Sequence, residues 1–217
     1  VTASLLPDHS GTRTSSDNPS DPPCTSPGQW LTDQLGGGYY QVQSGQHSIQ
    51  RGIAEFPIPS LAPGCTITSA AMNFWTMSVS GNTSLNVFSV ATMTAGVDPN
   101  DFNRSSRQIG QKTFDSESHG LSGPHTIGLD SKALIPGQSN KFILRNSDEV
   151  SYCQGGSPSN PFNYVYLQHD ASHYAYLQLQ IGQPAGYQAA PNPLPIDEPY
   201  NAGVFTITAS GAMTGSI

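Results

Sequence analysis

The stretch "YVYLQHDASHYAYLQLQI", residues 164–181, alternates so regularly that its reading decides the fold. Val165 and Leu167 alternate with Tyr164, Tyr166 and Gln168. After a polar break, Ala175, Leu177, Leu179 and Ile181 alternate with Tyr174, Tyr176, Gln178 and Gln180. Successive strand residues point to opposite faces, so a period of two predicts two half-buried strands, with aliphatic side chains on a core and tyrosines and glutamines facing away. Asp170, Ala171 and Ser172 are good turn formers, and a hairpin turning on them is expected. Such a hairpin would set His169 and His173 face to face with Asp170 as a third donor, a candidate metal site, although polar residues also serve simply to keep a turn wet. The outward tyrosines, Tyr164, Tyr166, Tyr174 and Tyr176, suit three uses: cross-strand pairs that stabilise an exposed sheet, a protein interface, or a platform on which sugar rings stack.

The same period recurs outward from this stretch. "QRGIAEFPI" (50–58) puts Gly52, Ala54, Phe56 and Ile58 on one face, and Pro57 and Pro59 end it. "TSAAMNFWTMSVS" (68–80) puts Ala70, Met72 and Phe74 on one face and Asn73, Trp75 and Met77 on the other, so Trp75 enlarges the outward apolar surface. "SGN" at 80–82 is expected to turn that strand back into "TSLNVFSVA" (83–91). "YYQVQ" (39–43), "RQIGQKTF" (107–114), "HTIGLD" (125–130) and "NKFILRN" (140–146) are further strands, and "DSKALI" (130–135) is the best helical turn. Frequent strands separated by turn signals predict an all-β fold, an antiparallel jelly-roll-like β-sandwich over residues 38–182.

Two appendages flank this domain. Residues 1–37 are rich in Pro, Ser and Asp, and a tail of that composition gains order only by docking on its own domain or on a neighbour. Residues 183–217 comprise a Pro-rich linker and a C-terminal strand, "VFTITASGAM", with Phe205, Ile207 and Ala209 on one side. An isolated strand needs a sheet edge to join, so these three residues are candidate strand-donor positions, with Val1, Ala3 and Leu5 as their N-terminal counterpart.

Composition narrows the function. Of 217 residues only 11% are charged, and 8 Lys+Arg against 15 Asp+Glu give a formal net charge of −7, which disfavours nucleic acid and anionic membrane surfaces. No apolar run approaches the roughly 20 residues that span a bilayer, so no membrane insertion is expected. The chain begins at Val1 without a methionine, as a chain cleaved from a signal peptide would. Three cysteines, Cys24, Cys65 and Cys153, leave either one disulfide and one thiol or a bond between subunits, and their scatter argues against structural zinc.

At "QRGIAEFPIPSLAPGCTITSAAMNFW" the chain resembles the extracellular DNRLRE-type domains, jelly-roll sandwiches related to carbohydrate-binding modules. Arg51, Phe56, Ile58, Ser60, Leu61, Ile67, Ser69, Ala70 and Met72 occupy the frame of that resemblance. "YAYLQLQI" looks like the family's last strand, whereas Pro57 stands where the family usually has Asp. The resemblance implies a secreted or cell-surface role without fixing a ligand.

Catalytic signatures are missing: G-x-S-x-G, H-E-x-x-H and Gly-rich phosphate loops do not occur. The adjacent acids Asp148 and Glu149, like Asp197 and Glu198, are wrong for a glycosidase pair acting across one bond, since neighbours on a strand face opposite ways, and are read as solvated turns. Asp98 and Asp101 in "GVDPNDFN" are candidate calcium ligands without a complete calcium loop; no other cofactor is expected. Asn82 and Asn103 lie in N-x-S/T sequons. The expectation is therefore a non-enzymatic, secreted structural subunit, self-associating into a fibre, sheath or matrix by exchange of terminal strands. The alternative is a polysaccharide-binding or adhesive module using the tyrosine face.

Overall fold

Strand β5 (His47–Ile58) is buried without interruption from Arg51 to Phe56, on both of its faces. A strand covered on both sides has to lie inside a sheet and beneath something, and this one is the hinge of the architecture. The computed structural model describes residues 2–5, 9–17, 24, 30–31, 35–41, 47–90, 101, 104–115, 123–156, 162–168 and 173–183. One edge of β5 carries β2 (His9–Asp17), itself paired with the short β3 (Trp30–Leu31). The other edge carries β4 (Leu35–Gln41) along residues 47–51 and β10 (Gln138–Asn146) along residues 52–58. Where β4 and β10 part, Gly37 passes so close to β10 that a Cβ there would stand 2.8 Å from the Asn146 nitrogen, so only glycine fits.

From this division the sheet runs two ways. Through β10 it continues to β7 (Thr83–Val90) and β8 (Ser105–Phe114). Through β4 it continues to β11 (Phe162–Leu167), β6 (Thr66–Ser80), β12 (Tyr176–Gly182) and finally β1 (Thr2–Leu5). The strand β9 (Gly123–Leu129) pairs with β6 over residues already paired with β12, so it takes the opposite edge of β6. Among the described residues every pairing is antiparallel, and the sheet curls until its halves share one core, in which Phe56, Met72, Leu85, Ile127, Phe142 and Leu177 come from six strands. The Asp130 amide donates to the Ile109 carbonyl at 2.8 Å and brings the far end of β9 to β8. The fold is thus all-β and jelly-roll-like, as the sequence predicts.

Three expectations are corrected. First, β11 and β12 are not a hairpin. Both run antiparallel to β6, Tyr164–Leu167 along Ser80–Thr76 and Tyr176–Gly182 along Asn73–Thr66, so they are collinear halves of one long strand interrupted by residues 168–175. Period two says which way a side chain faces, and a break in a single strand leaves the same trace as a turn between two. Second, Gly81–Asn82 joins β6 to β7 without pairing them: β6 bonds to β9, β11 and β12, and β7 to β8 and β10. This turn, with Gly81 at φ 79°, is an arch carrying the chain from one layer to the other. Third, the acidic pair opens a helix, α1 (Ser147–Cys153), whose N-cap Asn146 accepts from the Asp148 amide at 2.8 Å. The expected helical turn at "DSKALI" is a 3₁₀ turn, Ser131–Ala133, capped by Asp130.

Residues 1–37, set apart by composition, contribute β1, β2 and β3 to this same sheet. Residues 184–217 lie outside the described residues.

His125 on β9 lies between the rings of Phe74 and Phe114 and within 3.1 Å of Thr76 Oγ1. Burial, reinforced by Lys112, holds its pKa below the usual histidine value. The folded state therefore favours the neutral ring, and its contribution is full above the unfolded pKa and lost as pH falls through the folded one. Urea midpoints should drop as pH is lowered from neutral into this range, and His125→Gln should flatten the dependence; an unchanged profile contradicts this role.

Candidate interface: the aromatic outer face and the β12 edge

The parity read from residues 164–181 is kept despite the change of partner. Val165, Leu167, Ala175, Leu177 and Leu179 are buried, whereas Ile181, beyond a register shift at Gln180, is half-buried. Tyr174 and Tyr176 are exposed, as are Met77 and Phe162. Tyr164 and Tyr166 are half-buried and stack on each other, centroids 4.7 Å apart with planes 22° off parallel. The Tyr166 hydroxyl donates to Gln50 Oε1 at 2.6 Å, and burial pushes its pKa up to about 12, so it stays a protonated donor well into the alkaline range. Each ring of this pair offers one face to the other, which ties two of the four tyrosines to the sheet.

Trp75 is half-buried on the same outer face, its ring 4.9 Å from that of His173, and its carbonyl accepts from the Gln168 amide at 2.7 Å. Gln168 and His173, which flank the interruption between β11 and β12, therefore both contact Trp75. His173 is a packing partner there, and the hairpin that was to bring it opposite His169 does not form; His169 and Asp170 lie outside the described residues. The neighbouring polar groups bind one another: Thr126 Oγ1 donates to Asn73 Oδ1 at 2.7 Å, and Asn73 Nδ2 to Gln178 Oε1 at 3.5 Å.

The edge of this layer is formed by β1 on β12. Thr2 pairs with Gln180, Ala3 with Leu179, Ser4 with Gln178 and Leu5 with Leu177. Ala3 and Leu5, two candidate donor positions, thus stand in register with the two leucines whose side chains are in the core. Val1, Phe205, Ile207 and Ala209 lie outside the described residues.

Sequence reasoning missed the charges that fasten this architecture. Glu149 is 0% exposed and binds two arginines: Arg51 Nε lies 2.9 Å from Oε1, and Arg145 Nε 2.8 Å from Oε2. Beside it Cys24 and Cys153 form a disulfide, and Cys65 is a free thiol. Cys24, Cys153 and Glu149 have the donor types of a metal site, but bonded sulfurs and a carboxylate held by two guanidiniums make a staple instead. Asp101, a candidate calcium ligand, has its carboxylate on Lys141 and Arg104, while Asp98 lies outside the described residues. Asn82 is exposed on the arch; Asn103 is outside the described residues. The signal for α1 was present: Asn146 followed by two acids is a helix start.

These features define a jelly-roll-like β-sandwich with an aromatic outer face and an edge closed by its own N-terminal strand. No family model matches the chain, and no curated protein matches it significantly. Among solved structures it is similar to "Structure of Eiger TNF from S. frugiperda", at 9% identity and a TM-score of 0.33, over 89% of this chain and 98% of that one. A likeness that loose carries no argument; the fold rests on the strand register and the shared core.

Proposed function

We propose that this chain is a non-enzymatic structural subunit of an extracellular fibre, sheath or matrix, in which the N-terminal strand of one molecule occupies the β12 edge of the next. The observation that carries this reading is the place of β1: a short strand, outermost on this side among the described residues, paired with β12 in register with core leucines. A neighbour's residues 2–5 make the same bonds in the same register, so exchange sacrifices nothing in the sheet and links two subunits. Only residues 6–8 join β1 to β2, a reach from Leu5 to His9 of at most ~14 Å, so a recipient has to sit directly against its donor. The outer aromatic face, with Met77 and Phe162 exposed, gives subunits packed this closely apolar surface to cover.

The disulfide supports an oxidising compartment, and among the described residues no helix is long and apolar enough to cross a membrane; both are compatible with secretion. The resemblance to DNRLRE-type domains points the same way. Polysaccharide binding is the second reading, favoured by the exposed Tyr174 and Tyr176; against it, Tyr164 and Tyr166 use ring faces on each other and Asn73 and Gln178 bind one another.

Removing residues 1–5 should leave a folded protein that stays monomeric under conditions where the full chain forms multimers, read by light scattering and electron microscopy. Assembly by the truncated chain at full-length efficiency rejects β1 as the donor. The same comparison with residues 203–217 removed tests the C-terminal strand.

A further inference from the structure

The chain has three lysines, and one is sealed from solvent. On β10, Phe142 and Leu144 belong to the main core, which leaves Lys141 and Ile143 on the opposite face; there Ile143 packs with Ile53 and Val90 in a second buried cluster. Asp101 lies over this face from the connection between β7 and β8. Lys141 and Asp101 are both 0% exposed, with Nζ 2.9 Å from Oδ2. Glu55, 1% exposed, is the residue opposite Lys141 in the β5–β10 register, and opposite residues of paired strands project to one face. Arg104, 37% exposed, reaches the other Asp101 oxygen at 3.5 Å from the rim.

A buried ammonium and carboxylate in contact have two fates. They remain an ion pair, which seldom recovers the cost of leaving water. Or they condense, which removes both charges at once, and a dry site both holds the reacting atoms at attack distance and keeps water from reversing the product. Glu55, opposite Lys141 in the register, offers condensation a second carboxyl group on the same face, one able to accept a proton from nitrogen and return it to the departing oxygen.

We infer that Lys141 and Asp101 form an intramolecular amide cross-link, with Glu55 as the proton carrier. The Lys141 ammonium passes one proton to the Asp101 carboxylate, leaving an amine and a carboxylic acid. The nitrogen lone pair attacks Asp101 Cγ and the N–C bond forms. Glu55 takes a proton from that nitrogen and delivers it to the Asp101 hydroxyl, the C–O bond breaks and water leaves; Glu55 ends as it began. Ammonium plus carboxylate gives amide plus one water, with no oxidant or cofactor. The bond ties the β7–β8 connection to β10 across 40 residues of sequence and makes that loop closure permanent.

The test is the intact mass of the folded, full-length, oxidised protein after denaturation. The inference predicts a mass one water below that of the sequence with a single disulfide, and a branched peptide joining the Asp101 and Lys141 segments after proteolysis. Lys141→Arg and Asp101→Ala should each restore the water. Glu55→Gln, which leaves both reacting groups in place, should yield mostly uncross-linked chain, and cross-linking at the wild-type extent would remove Glu55 from the mechanism. A wild-type mass without the loss overturns the inference whatever the variants do. So does a water loss that maps elsewhere, as a succinimide would. None of these readings depends on whether the protein assembles.

Discussion

Glu149→Ala is expected to cost about 3–5 kcal/mol of folding stability, the range for removing one partner of a buried charge group. The carboxylate is fully buried and holds Arg51 from β5 and Arg145 from β10, at the point where the two halves of the sheet separate. Arg51 is itself buried at 3% exposure, so without the carboxylate its guanidinium keeps its desolvation cost and loses the charge that offset it. Glu149→Gln keeps the volume and removes only the charge, so it should fall in the same direction by a smaller amount. For a chain of this size the alanine variant should melt roughly 6–20 °C lower. A loss below about 1 kcal/mol in urea titration would mean that water reaches the cluster and that the halves are held together by packing alone.

The second large effect is expected from Cys24→Ser. The Cys24–Cys153 bond joins residues 129 apart and attaches the segment between β2 and β4 to α1. Closing so long a loop in the unfolded chain gives about 4–5 kcal/mol in the chain-entropy model, and removing natural disulfides typically costs about 2–5 kcal/mol. Cys153→Ser and the double variant should lose the same amount as Cys24→Ser, because all three remove one bond. A double variant much worse than either single one would show that the thiols act separately. No change on reducing the wild-type protein would show that the bond stabilises nothing.

Parity was the legible part of the sequence. The alternation of residues 164–181 and 68–80 sorted Leu177, Leu179, Met72 and Phe74 inward and Tyr174, Tyr176 and Met77 outward, which the structure bears out. Neighbours were not legible, because a period of two is identical for a strand in a hairpin, a strand in line with another and a strand beyond an arch; the pairings of β11 with β12 and of β6 with β7 failed on that point. Charges inside apolar runs, Arg51 and Glu55 in "RGIAEFPI" and Lys141 in "NKFILRN", are buried in the structure, which was not legible in the sequence because such residues are ordinarily exposed. Their partners are not readable either: Glu149 lies 98 residues from Arg51, and only the curl of the sheet brings them together. The Pro-, Ser- and Asp-rich composition of the N-terminal segment concealed three strands, of which β1 pairs with β12, β2 with β5 and β3 with β2.

Exchange of β1 is tested most directly by disulfide trapping between differently sized chains. One carries Ser4→Cys and the other Gln178→Cys, positions that face each other in the β1–β12 register, both with Cys65→Ala. Refolded together and oxidised, they should yield a mixed dimer on a non-reducing gel that disappears on reduction. If no mixed dimer forms, while a single chain carrying both cysteines closes the bond within itself, β1 belongs to its own sandwich and subunits are not joined through it.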